Sequence, residues 1–207
     1  YRLHFITSHP KDLSDSLIET MAGSDKVCEH LHLPLQSGNN SVLKAMNRKY
    51  TIEEYLKLVD KLRTSIPGIA LTTDLIAGFP GESEADFADT LDVMSEVRFD
   101  YAFCFKYSER EGTSACSLPG QIPETERLKR LQKMIDLQRK ITLAKFSAQV
   151  GKTVEVYVES ISKKSDKMVS GKTRDYKIAV LSGSVNDIGK IKTAKVIKAT
   201  SGTLICL

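Results

Sequence analysis

The run Leu71-Thr72-Thr73-Asp74-Leu75-Ile76-Ala77-Gly78-Phe79-Pro80-Gly81-Glu82 is a short apolar stretch that breaks at Gly-Phe-Pro-Gly and opens straight into an amphipathic segment. It predicts a strand, a tight turn and a helix. In such a unit the turn lies at the C-terminal edge of the strand, where α/β folds place their ligands, and Gly78 and Gly81 would let a backbone approach a bound molecule closely. Three further runs end in polar loops holding Gly or Pro: Thr7-Ser8-His9-Pro10, Gln36-Ser37-Gly38-Asn39-Asn40 and Tyr107-Ser108-Glu109-Arg110-Glu111-Gly112-Thr113. Four such loops would meet at one rim.

Around them, helical and strand periods alternate. The first strand is expected from Tyr1, and Pro10 and Asp12 open a helix with Leu13, Leu17, Ile18 and Met21 on one face, closed by Gly23. Val27 to Leu35 reads as a strand with Leu31, Leu33 and Leu35 on one face and His30, His32, Pro34 and Gln36 on the other. A parallel strand covered on both sides is normally apolar throughout, so a polar second face predicts a lined cavity. Val42, Leu43 and Met46 predict a short helix, and Thr51-x-x-Glu54 is a capping box opening another that runs to Ser65. In the central strand Thr72, Asp74 and Gly78 oppose Leu71, Thr73, Leu75 and Ala77, which puts Asp74 inside. A helix carrying Phe87, Leu91, Met94 and Val97 leads to a strand from Tyr101 to Tyr107. Strands separated by helices make right-handed βα units and a parallel sheet. A closed eight-stranded barrel needs about 250 residues, and these units end by Tyr107, so the pattern predicts part of a barrel with strands missing ahead of Tyr1.

Ile122-Pro123-Glu124 starts a long helix to about Val150, with Leu128, Leu131, Ile135 and Phe146 among its apolar positions and Arg127, Lys129, Arg130, Lys133, Arg139, Lys140 and Lys145 as a solvated basic face. From Gly151 the period becomes two, with glycines 171, 183, 189 and 202 punctuating the runs, which predicts a small antiparallel β-barrel of about five strands. The fold class is therefore α/β, a partial parallel (β/α) barrel over residues 1–150 including a long linking helix, followed by a small OB-like β-barrel over 151–207. The barrel segment holds 11 Lys and Arg against 5 Asp and Glu, whereas residues 1–150 hold 19 against 21. A compact basic module beside a near-neutral body is the electrostatic footprint of phosphate contact. Tyr157 and Tyr176 are its only aromatics, which favours backbone contact over base stacking.

No run of about 18 apolar residues suggests a membrane span, and no charged-then-apolar leader opens the chain, so a cytoplasmic protein is expected. Cys28, Cys104, Cys116 and Cys206 are scattered without C-x-x-C spacing and encode no local zinc or iron-sulfur site. Without thiol partners, His4 and His32 read as satisfied interior histidines. The chain opens on Tyr1 rather than Met, in what reads as the middle of a strand. That predicts a fragment of a longer protein.

Taken with Met46-Asn47-Arg48-Lys49-Tyr50-Thr51 and His30-Leu31-His32-Leu33-Pro34-Leu35-Gln36-Ser37-Gly38, the loops above resemble in order and spacing the radical S-adenosylmethionine methylthiotransferases, most of all the branch that acts on dimethylallyladenosine in tRNA. The segment after Gly151 resembles their TRAM domain. The resemblance implies a transferase in which a reduced 4Fe-4S cluster cleaves S-adenosylmethionine to a 5'-deoxyadenosyl radical, and a second 4Fe-4S cluster supplies methylated sulfur to carbon 2 of a modified adenosine beside the anticodon. It implies as partners a tRNA anticodon stem-loop and a reducing electron donor. The cluster-ligating cysteines of the family lie in segments this sequence does not contain, so the chain alone is expected to be inactive. Carried onto matching positions, Gln36, Ser37, Asp74, Gly78, Gly81 and Arg110 would bind the cofactor, and Lys152, Lys172, Arg174, Lys177 and Lys192 would meet RNA. Arg110 could also make a structural ion pair, Gln36 could cap a helix, and Asp74 could satisfy neighbouring polar groups. Sister enzymes act on threonylcarbamoyl-adenosine or on a ribosomal protein, and those of the latter kind carry Gln-His where this chain has Gln36-Ser37. A non-catalytic RNA-binding module is the reading from a different class.

Overall fold

Leu31, Leu33 and Leu35 are completely buried, and their alternation with His30, His32, Pro34 and Gln36 sets how the first strand meets its neighbour. The computed structural model describes residues 2–4, 10–163 and 165–207. The expected first strand and the Thr7-Ser8-His9 loop therefore lie outside the described residues, apart from Arg2–His4. One compact unit comprises Phe5–Gly23 and Leu31–Gln138; the other comprises Tyr1–His4, Ser24–His30 and Arg139–Leu207.

The sheet of the first unit has β1 (His30–His32, of which Leu31 and His32 belong to this unit), β2 (Ala70–Ala77) and β3 (Tyr101–Lys106) side by side in that order, with β2 and β3 parallel and Asp74 opposite Phe103. Only three residues of the expected strand over 27–35 keep strand geometry. The chain beyond them still follows β2, because the Leu33 N–H donates to Thr72 O (2.8 Å), the Gln36 N–H to Asp74 O (2.8 Å) and the Ile76 N–H to Gln36 O (2.9 Å). Carbonyls that this irregular stretch leaves outside the ladder are met by tyrosines. The Tyr55 hydroxyl donates to Leu33 O, and the Tyr50 hydroxyl to Pro34 O and Leu35 O, at 2.8, 3.2 and 2.8 Å. Buried backbone acceptors require such partners, which gives the Tyr50-Thr51 pair two local tasks.

Thr51 caps the next helix. α1 (Asp15–Ala22), α2 (Asn40–Ala45), α3 (Ile52–Ser65) and α4 (Glu84–Val97) connect the strands, and α3 shows the predicted capping box, with the Thr51 N–H on Glu54 and the Glu54 N–H on Thr51. Two starts differ from expectation. α1 is capped by Ser14, after a separate 3-10 turn over Pro10–Asp12, and α4 carries its own box, Ser83 with Asp86.

The long helix α5 (Glu124–Ser147) does not bury the stripe its apolar residues suggest. Leu128 is 47% exposed, whereas Arg130, Met134, Gln138 and Ile141 are buried. An Arg and a Gln on the covered face hide it from any reading of apolar period.

In the second unit β4 (Thr153–Ser162), β5 (Ser165–Thr173), β6 (Ile178–Ser182), β7 (Ile191–Ala199) and β8 (Leu204–Cys206) close in the ring β4-β5-β6-β8-β7. The barrel is not wholly antiparallel as expected, because β6 and β8 pair in parallel. Its inside holds Val156, Val158, Val169, Leu181, Val196 and Leu204, with Phe146 of α5 packed into the same cluster. Leu3 pairs with Val27 beside it in a parallel bridge.

Gly171 is where closure is tightest. A Cβ there would stand 1.9 Å from Tyr157 O and 2.9 Å from the Val158 Cα, both backbone atoms that cannot swing aside. Gly171→Ala should therefore lower barrel stability by about 3 kcal/mol, read as a drop in melting temperature. Gly202→Ala, with nothing within 4 Å, should leave it unchanged.

Candidate functional site

Parallel pairing puts Thr72 and Tyr101, Asp74 and Phe103, and Ile76 and Phe105 on one face of the sheet. His32 joins them: its Nδ1 lies 3.0 Å from Thr72 Oγ1 and its Nε2 3.3 Å from Asp74 Oδ2. The Phe103 ring meets the imidazole edge-on, with centroids 5.9 Å apart. This face is open, since Tyr101, Phe103 and Phe105 are 47%, 48% and 51% exposed and the Asp74 side chain 30%. The opposite face is closed, with Leu71, Thr73, Leu75 and Ala77 completely buried. A half-open surface combining a carboxylate, an imidazole, a hydroxyl and aromatic rings can hydrogen-bond and stack a nucleoside. His32 and Phe103 already lay on the polar or aromatic sides of their predicted strands; the inter-strand register that brings them to Asp74 was the missing signal.

The loop edge places the other candidates differently. Gln36 is 8% exposed and adopts φ +74°, a left-handed conformation uncommon outside glycine, held by its two backbone bonds to β2. Ser37 is completely buried, its hydroxyl 3.5 Å from Thr90 on α4. Gly38 lies so close to that helix that a Cβ would come within 2.4 Å of the Thr90 Cα. Gly78 (φ +76°) donates its N–H to Glu82 Oε2 at 2.8 Å, and the space its missing Cβ leaves is filled by Arg127, whose Cγ would be 2.4 Å away. Gly81 (φ +83°) has nothing within 4 Å of that position, and its N–H donates to Gly120 O at 2.9 Å. Arg110 is exposed on its loop.

Behind the Gly-Phe-Pro-Gly turn sits a buried ion pair. Arg130 Nη1 donates to Glu82 Oε2 at 2.7 Å and to Glu82 O at 2.9 Å, with side-chain exposures of 7% and 0%. Burial pushes the Glu82 carboxyl up, opposed by the hydrogen bond from Arg130. Arg127 donates to Tyr107 O (3.0 Å) and Ile122 O (2.8 Å) and pairs with Glu109 (3.1 Å). Lys133 pairs with Glu84 at 3.1 Å. Arg127 and Arg130, expected on the solvated face, are thus ties to the turn and its flanking loops through partners as far as 20 and 48 residues away, whereas Lys133 stays more than half exposed, as expected.

On the barrel, three of the five expected RNA contacts are engaged internally. Arg174 grips both carboxylate oxygens of Glu29 at 2.7 to 3.1 Å and donates to Asp25 O and Val27 O. Lys177 is buried and paired with Asp175, and Lys192 reaches Asp187 (3.3 Å) and Ser182 O (3.1 Å). Lys152 is exposed, and Lys172 places its ammonium 3.6 Å from the centroid of the Tyr176 ring.

Against known families, residues 1–94 match the Radical SAM superfamily and residues 147–205 the TRAM domain. Coproporphyrinogen III oxidase (HemN) of Escherichia coli, described as a radical SAM enzyme, shares the fold over 64% of this chain and 31% of its own, with a TM-score of 0.54 at 20% identity. The chain is thus radical SAM in fold with a TRAM barrel. It belongs to the radical SAM methylthiotransferases. It is 49% identical over 98% of its length to the tRNA-2-methylthio-N(6)-dimethylallyladenosine synthase of Thermoanaerobacter sp. (strain X514), and 46% identical over its whole length to that of Carboxydothermus hydrogenoformans. It spans 43% and 46% of the length of these two relatives. No helix among the described residues is long and apolar enough to cross a membrane.

Two measurements separate these ties from binding surfaces. Arg130→Met strands a buried carboxylate and should cost about 3 kcal/mol in thermal or denaturant unfolding, with Glu82→Gln in the same chain recovering part of it. Arg174→Ala should cost about 1 kcal/mol at neutral pH, a figure discounted for the one-third exposure of Glu29. The hydrogen bond from Arg174 holds the Glu29 carboxyl below its usual range, so its stabilisation is complete above the unfolded value and fades as pH falls through the folded one. The melting-temperature gap between Arg174→Ala and the parent should therefore close on acidification.

Proposed function

We propose that this chain contributes the C-terminal strands of the partial barrel and the TRAM domain to an enzyme that methylthiolates carbon 2 of dimethylallyladenosine next to the anticodon in tRNA. The observation that carries the reading is 46–49% identity, over nearly the whole chain and both domains, to proteins named for that product. The open face of the sheet supports it, because its donors and rings suit a nucleoside.

S-adenosylmethionine and reduced 4Fe-4S clusters supply the radical and the sulfur chemistry when bound; the protein's share is to bind, orient and shield. The donor set of this chain fits the nucleoside and not the clusters. Asp74 and His32 can accept from or donate to a ribose or base edge, Phe103 offers a ring beside them, and Gln36 stands at the loop edge with Gly78, Gly81 and Arg110 on neighbouring loops. For a cluster, by contrast, no group of three or more His, Cys, Asp or Glu among the described residues is arranged to hold a metal ion. Burial pushes the Cys28 and Cys206 thiols up and that of Cys104 to about 11, the opposite of what a thiolate ligand needs. Cluster ligation is therefore assigned to other parts of the full-length protein.

His32 acts as a positioning residue. Bound to Thr72 and Asp74 at once, it fixes the carboxylate on the open side of the sheet. The TRAM barrel engages the anticodon stem-loop, which places the modified adenosine within reach of the chemistry. Ser37, where sister enzymes acting on a ribosomal protein carry His, is completely buried, its hydroxyl 3.5 Å from Thr90 and accepting from the Asn39 N–H at 3.3 Å.

Nucleosides from tRNA of a deletion strain, measured by mass spectrometry, should retain dimethylallyladenosine and lack its methylthio derivative; an unchanged profile overturns the assignment. In the full-length enzyme Asp74→Asn should weaken S-adenosylmethionine binding about tenfold, the loss of one charge-assisted hydrogen bond, with the melting temperature nearly unchanged. A lower melting temperature with normal binding and turnover would make Asp74 purely structural.

A further inference from the structure

Residues paired across antiparallel strands share a face. The barrel pairs Ile178 with Lys172, Lys172 with Tyr157, and Tyr157 with Ile191. These four side chains therefore form one outward row across β6, β5, β4 and β7. Ile178, Tyr157 and Ile191 are 45%, 41% and 49% exposed. An apolar and aromatic row on the outside of a small barrel is unusual where the same strands put Glu155 and Thr193 outward one step away.

The two tyrosines of the barrel differ in what they touch. Tyr176 stacks on His30, with centroids 4.5 Å apart and planes at 18°, and receives the Lys172 ammonium at 3.6 Å. Both uses need a ring face, so its π-surface is occupied. The Tyr157 ring has no aromatic or cationic partner among the described residues. Lys172 beside it has no carboxylate partner among the described residues, and the nearby Glu155 is already neutralised by Arg2 at 2.9 Å. Lys190 is exposed and precedes Ile191 at the other side of the row. The close approach of β5 to β4 at Gly171 holds Lys172 and Tyr157 in this register.

We propose that this row is the RNA-contacting face of the barrel and that the Tyr157 ring takes one unpaired base in stacking, with Lys172 and Lys190 on the adjoining phosphates. The proposal rests on the tRNA reading above and deepens it: the ligand is an unpaired nucleotide rather than duplex backbone. It also changes the expectation that backbone contact dominates, since one free ring flanked by unneutralised cations is what a sequence-tolerant stacking site requires.

The test uses the full-length protein and two labelled RNAs, an anticodon stem-loop and a blunt duplex of the same stem without the loop. Tyr157→Ala should weaken stem-loop binding about tenfold while leaving duplex binding and the slope of log affinity against log salt unchanged, because no phosphate contact is lost. Tyr157→Phe should bind as the parent does. Tyr157→Trp should show indole emission, read as the difference from the unsubstituted protein, that the stem-loop quenches and the duplex does not; this chain itself has no tryptophan. Equal loss on both RNAs, a shallower salt slope, or parental affinity in Tyr157→Ala overturns the stacking assignment and leaves the tRNA reading intact. So does a change in self-association in sedimentation with RNA affinity unaltered, which would make the row a contact between copies. Failure of the unsubstituted protein to bind either RNA overturns both.

Discussion

The loop edge of the parallel sheet depends on one buried ion pair, Glu82 with Arg130. The turn that follows β2 aims the Gly78 N–H at the Glu82 carboxylate, and a carboxylate with no exposed surface must have a cation and good geometry to be tolerated. The cation comes from α5, 48 residues further on. Arg130 also donates to the Glu82 carbonyl, so it reads the backbone of the turn as well as its charge. An apolar pair of the same volume could be as stable, but it would not fix the direction of the turn. The open face of the sheet ends at this turn, so its orientation is inherited from the pair.

The two surfaces assigned here follow different physical logic. On the sheet, one face is closed by completely buried residues while the other leaves three aromatic rings about half exposed beside Asp74 and His32. Polar atoms there are held by one another, Thr72 to His32 to Asp74, which keeps them oriented without closing the face. On the barrel, net positive charge is a poor guide to where RNA would lie. Arg174, Lys177 and Lys192 are engaged by Glu29, Asp175 and Asp187, and a paired cation releases few counterions from a phosphate backbone. What matters is which cations remain without an acidic partner and what surface lies between them.

Much of the fold was legible because its signals are short-range. The capping box of α3 joins residues three apart, and the Leu31, Leu33, Leu35 alternation needs only the two-residue period of a strand. The Gly-Phe-Pro-Gly turn and the five-stranded barrel were likewise written in local period and punctuation. The site was legible as a set of positions, Asp74 inside and Gln36 at the edge, and not as a set of partners. Ser37 and Gly78 show the difference: both lie in ligand-edge loops by sequence, yet one packs on Thr90 and the other makes room for Arg127.

The sequence by itself determined the succession of strands and helices, the turn that ends β2, the family motifs and the boundary at which the period changes. Only the tertiary structure decided which charges neutralise one another, that β6 and β8 run parallel, that α5 buries an Arg and a Gln, and that the Tyr176 ring, as exposed as that of Tyr157, is engaged by His30 and Lys172. The physical reason is range. Periodicity and capping are satisfied within a few residues, whereas Arg174 meets Glu29 across 145 positions. No local pattern specifies a partner that the chain must fold to reach.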